Sequence, residues 1–167
     1  MSDPWEGYEP PPSLLQTLAD VVGIVEFDRS DVLHRKLLKT LADLGVGAST
    51  GDRISACRFV IAWELRDAAH LAKTGKANYE QAVSKRVLQL TEEARVKGRR
   101  IGEGLAKRQA ETENFDDRMA FLQQEARATS MRQLLSALEG ALENHRTLRA
   151  DMRAADRAHA QGIGSHS

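Results

Sequence analysis

Apolar positions in this chain recur at three- and four-residue steps almost from end to end, the period of helices that bury one face. Leu14, Leu15, Leu18, Val21, Val22 and Val25 form one stripe over residues 13–27, with Ser13 placed to cap it. The turn FDRSD follows, and Ser30 or Asp31 can cap a second helix that turns Leu33, Leu37, Leu38 and Leu41 inward until Gly45 and Gly47 stop it. After the loop VGASTGD, Thr50 or Asp52 caps a third helix that Gly75 ends. That helix is the most apolar in the chain, and its wide arc around Phe59, Val60, Ile61 and Trp63 suits the centre of a bundle. Residues 13–75 are therefore expected to form a compact three-helix unit.

Beyond Gly75 no proline occurs, and the helical pattern persists to about Ala160. One break suggests itself at TENFDD (112–117), where Thr112 or Asn114 can cap a new helix ahead of Asp116 and Asp117. The expected architecture is all-α, with the N-terminal unit followed by two long antiparallel helices, a coiled-coil-like hairpin over residues 76–160. On the first long helix Val83, Val87, Leu90, Ala94, Gly98, Ile101 and Leu105 read as a heptad seam with one four-residue insertion near Gly98. On the second, Met131, Leu135, Leu138, Leu142, His145, Arg149 and Met152 keep a regular heptad. A single hairpin leaves such a seam partly wet. Met131, Leu135, Leu138, Leu142 and Met152 are accordingly expected to join copies of the chain, with a dimer closing a four-helix bundle favoured.

The stretch GRRIGEGLAKR (98–108) fits this picture badly. Three glycines inside a helix cost roughly 1 kcal/mol each relative to alanine. Ala94, Gly98, Gly102, Ala106 and Ala110 would form an i, i+4 row of small residues, a groove against which a second helix can pack closely. Close packing is the preferred reading. A hinge around Gly102 and Gly104 is the second. The third is a polyanion contact using Arg99, Arg100, Lys107 and Arg108.

Charge sharpens the choice. The 167 residues carry 24 acidic and 24 Lys or Arg side chains, so bulk attraction to nucleic acid is excluded and only a local patch could bind it. Residues 76–108 hold nine Lys or Arg against four Glu, whereas residues 109–145 hold three Arg against seven acids. Mutual attraction of the two arms explains both numbers without a partner. Arg146, Arg149, Arg153 and Arg157 line one helical face near the C-terminus and could follow a phosphate backbone, or simply complement the end of a helix dipole.

Candidate chemistry is thin. Cys57 is the one cysteine and lies in the apolar run ISACRFVIAW, so a buried structural thiol is expected and no disulfide or thiolate-rich metal site can form within the chain. Glu64, Asp67 and His70 are spaced as acid–histidine helical ligands are, but the matching Glu-x-x-His from another helix is missing, so no metal is expected. GVGASTGD lacks the Gly-Lys-Ser/Thr ending of a phosphate loop. The arm of residues 1–12 is acidic and holds all four prolines with Trp5 and Tyr8, unlike a signal peptide. It is expected to be flexible, with its aromatics docking on the protein's own core or on another chain. Residues 161–167 are expected to be a disordered tail, and no apolar run is long enough to span a bilayer.

These features predict a cytoplasmic, non-enzymatic assembly protein without cofactor or metal, which oligomerises through its long helices and docks a protein partner. The alternative is a nucleic-acid-binding accessory protein using residues 85–108 and the C-terminal arginines. In layout alone, a compact helical unit ahead of long helices, the chain resembles small terminase subunits of phages and helical DNA-associated regulators, which would imply the alternative.

Overall fold

A computed structural model describes Trp5 and residues 7–163, with side chains through Ala160. The described residues form five helices and no strand: α1 (Pro12–Val22), α2 (Val32–Leu44), α3 (Thr50–Val96), α4 (Glu103–Glu113) and α5 (Phe115–Ile163). The expectation of a disordered tail falls partly on 164–167, outside the described residues, while 161–163 continue α5.

The helix ends follow from local chemistry. Pro12 opens α1 at a position where its missing N–H costs nothing. Gly23, with φ 80°, closes α1 earlier than the apolar stripe implied, which leaves Val25 outside it and exposed. The Asp31 side chain accepts from the backbone N–H of Leu33 and His34 and so caps α2. Ser49 and Asp52 cap α3 reciprocally: the Asp52 N–H donates to Ser49 Oγ at 3.2 Å, and the Ser49 N–H donates to an Asp52 carboxylate oxygen at 3.2 Å.

Contacts group the chain into two compact units, residues up to Glu64 together with those from Arg132 onward, and Leu65–Met131. In the first unit Leu18, Leu37, Leu38, Cys57 and Ile61 are almost wholly buried. The arm joins this unit: the Trp5 ring lies 5.2 Å from Tyr8 edge to face and 6.4 Å from Phe27, so its aromatics contact their own chain. The expected three-helix unit needs a fourth member. α5 runs beside the start of α3, with Arg58 paired to Glu139 at 2.9 Å, and it contributes Leu138 and Leu142 to the buried set.

In the second unit two expectations give way. Gly75 lies inside α3 and does not end it. A Cβ at Gly75 would sit 3.0 Å from Phe121 Cβ, so the glycine permits α3 and α5 to approach closely, and the neighbouring Tyr79 ring lies 5.4 Å from Phe121. The chain reverses at residues 97–102, well before TENFDD. There Gly98 adopts φ 63°, its N–H donates to Arg95 O at 3.0 Å, and the Arg99 N–H donates to Ala94 O at 2.9 Å. That pair of bonds is a Schellman motif, which needs a left-handed residue after the helix end. Gly102 then serves as the N-cap of α4, with extended backbone. α4 returns along α3, and Ala106 and Ala110 bury fully against Val83 and Leu90, with Tyr79, Val87 and Ile101 around them. TENFDD holds only a one-residue break at Asn114, whose side-chain amide donates to Ala110 O at 2.8 Å.

Candidate functional site

The first unit carries an apolar groove of about 420 Å³ between α2 and α3, walled by Lys36, Lys39, Thr40 and Asp43 on one side and Phe59, Val60, Trp63 and Glu64 on the other. Its floor follows from helical geometry. α3 turns Ile54, Cys57 and Ile61 inward. At about 100° per residue, Phe59 and Trp63 lie roughly 200° from their buried neighbours two positions back. They therefore face out, Phe59 71% and Trp63 49% exposed, with ring centroids 6.5 Å apart. The rim is polar and balanced: Lys39 pairs with Asp43 at 2.6 Å, and Lys36 pairs with the buried Glu64. An apolar wall with two exposed aromatic rings and a charge-balanced rim is chemically suited to apolar surface.

The glycine-rich stretch is the second candidate. Ala94, Gly98, Gly102, Ala106 and Ala110 do not form a groove, because the turn divides the row. Ala94 ends on α3, Ala106 and Ala110 are buried on α4, and a Cβ at Gly98 or Gly102 would meet nothing within 4 Å. Arg99, Arg100, Lys107 and Arg108 are all exposed, as the polyanion reading requires. Farther down the hairpin the charges neutralise one another. Arg86 binds both Glu113 of α4 and Glu93 of its own helix, and this holds the Glu113 carboxyl below its usual range and pushes the guanidinium up. The expected attraction between the basic and acidic arms is realised there.

The proposed oligomer seam is largely spent inside the chain. Met131, Leu138 and Leu142 are buried, Leu135 is half-buried, and only Met152 stands clear at 66% exposure. The premise that the seam stays wet fails because Leu138 and Leu142 are buried within the first unit and Met131 within the second. Arg146, Arg149, Arg153 and Arg157 do share an exposed stretch of α5. Arg146 reaches Glu143 at 3.9 Å, and the Arg157 Nε donates to the Arg153 carbonyl at 3.1 Å.

The Cys57 thiol is fully buried, and burial pushes it up to about 11, which favours the protonated thiol at neutral pH. Among the described residues no three His, Cys, Asp or Glu side chains converge as a metal site requires. Glu64 is committed to Lys36, and Asp67 lies beside Arg66. No described helix is long and apolar enough to cross a membrane. Hydrophobicity alone places Phe59 and Trp63 in the core. Their angular offset from Cys57 and Ile61 was the signal that they face out. No family model, curated protein or solved structure matches the chain.

Proposed function

We propose that this protein is a non-enzymatic interaction module whose α2–α3 groove receives an amphipathic helix of a partner protein. The observation that carries this is the exposure of Phe59 and Trp63 together on one helix face. Rings 71% and 49% exposed forgo part of the roughly 1.5–3 kcal/mol that full burial of each would give, and a docked apolar face would recover it. Two helices already wall the groove, and their side chains step at four-residue intervals, Lys36, Thr40 and Phe59, Trp63. A third helix with apolar residues at i, i+3, i+4 and i+7 matches that spacing. The rim charges cancel, so the contact is driven by apolar burial and varies weakly with salt.

A library of amphipathic helical peptides, selected on the full chain and counter-selected on Phe59→Ser with Trp63→Ser, tests the reading. Peptides with helical apolar spacing that bind the chain and lose binding on the double variant are expected. Enrichment of peptides that bind both proteins equally would contradict it.

A further inference from the structure

The hairpin tip differs from the rest of the hairpin in how its cations are paired. Lys97, Arg99, Arg100, Lys107 and Arg108 are exposed, and among the described residues none of the five makes an ion pair or a side-chain hydrogen bond. Arg58, Arg86 and Arg95 each hold a glutamate. Between residues 97 and 108 the single acid is Glu103. Concentrating like charges raises the local potential, and Glu103 and Glu111, one turn either side of Lys107 on α4, offset only part of it.

The turn fixes where the charges lie. The Schellman motif holds Arg99 and Arg100 just past the end of α3, and α4 carries Lys107 and Arg108 roughly one helical turn into its length, about 6–8 Å from its start. Gly98, Gly102 and Gly104 add no Cβ between them, and open space surrounds each, so a strand can come close to the backbone. We propose that this tip is a contact surface for the phosphate backbone of duplex nucleic acid. Stacking on single-stranded bases needs aromatic platforms, and residues 97–108 contain no aromatic side chain. Insertion into a membrane surface favours the same aromatic anchors. The contact carries no sequence preference, since it consists of cations facing phosphates.

The test is fluorescence anisotropy of the full chain with a labelled DNA duplex of about 20 base pairs, across salt from roughly 50 to 200 mM. Binding is expected to weaken with salt at a log–log slope of about −3 to −4, near 0.9 per neutralised phosphate. Arg99→Ala with Arg100→Ala should reduce that slope by about two units and lower affinity at least tenfold at the lowest salt, with the melting temperature unchanged. Arg118→Ala with Arg132→Ala, at exposed positions elsewhere, should leave binding as it is. Absence of binding at the lowest salt, an affinity indifferent to loss of Arg99 and Arg100, tighter binding to a single strand than to the duplex, or tighter binding to anionic phospholipid vesicles would each overturn the proposal.

Discussion

The two ends of the second unit use glycine and charge in opposite ways. At the stem, Gly75 sits within α3 against Phe121, where even a Cβ would lie 3.0 Å away, and Arg86 is held between Glu93 and Glu113. At the tip, three glycines lie in open space and five exposed cations make no ion pair among the described residues. A lone glycine inside an apolar period marks a close approach of two helices. A cluster of glycines among like charges marks a reversal of the chain, since like charges repel from one continuous helix and tolerate a solvated turn.

The sharpest way to break this comparison is to put the same bulky residue at both ends. Gly75→Leu should cost about 1–3 kcal/mol through overpacking against Phe121, while Gly102→Leu should cost no more than about 0.5–1 kcal/mol, the loss of a favoured N-cap residue, both read from denaturant midpoints. Equal costs would erase the distinction. Smaller is the effect of Gly98→Ala. Its φ of 63° penalises an L side chain by roughly 1 kcal/mol or somewhat more, partly offset by the stiffer unfolded chain, so a net loss of up to about 1 kcal/mol is expected although no atom clashes. The smallest effect is electrostatic. The Glu113 carboxyl is held below its ordinary 4.5 by Arg86, so its contribution is present above that pH and is lost as pH falls through the lowered folded value. Glu113→Gln should therefore make the acid limb of the stability profile shallower, as measured by thermal melts at stepped pH.

Much of the helix content was legible before any coordinates. Asp31 capped α2 as its position suggested, and Leu33, Leu37, Leu38 and Leu41 turned inward, because capping and the apolar period act over a few residues. The reversal was not legible in the seam alone. Val83, Val87 and Leu90 face α4 from one side, and Ile101 returns to the same core from the other, so a stripe read straight through a six-residue turn looks like a heptad with an insertion. The seam on α5 was read as an intermolecular surface for a related reason. Periodicity shows that Leu138 and Leu142 are buried but not what buries them, and the first unit does so. Of the candidate sites, the exposed cations of GRRIGEGLAKR were visible in composition, whereas the Phe59–Trp63 groove required knowing which way α3 faces.

The central claim is that the chain turns back at residues 97–102, and a distance across the hairpin tests it most directly. With Cys57→Ala removing the buried thiol, spin labels on Ser84→Cys and Lys107→Cys report whether α4 lies beside α3, since both positions line one surface hollow. Adjacent helices with axes 8–10 Å apart, allowing for label linkers, predict about 10–25 Å. A helix continuing through Gly98 and Gly102 would separate the two positions by about 35 Å and contradict the account.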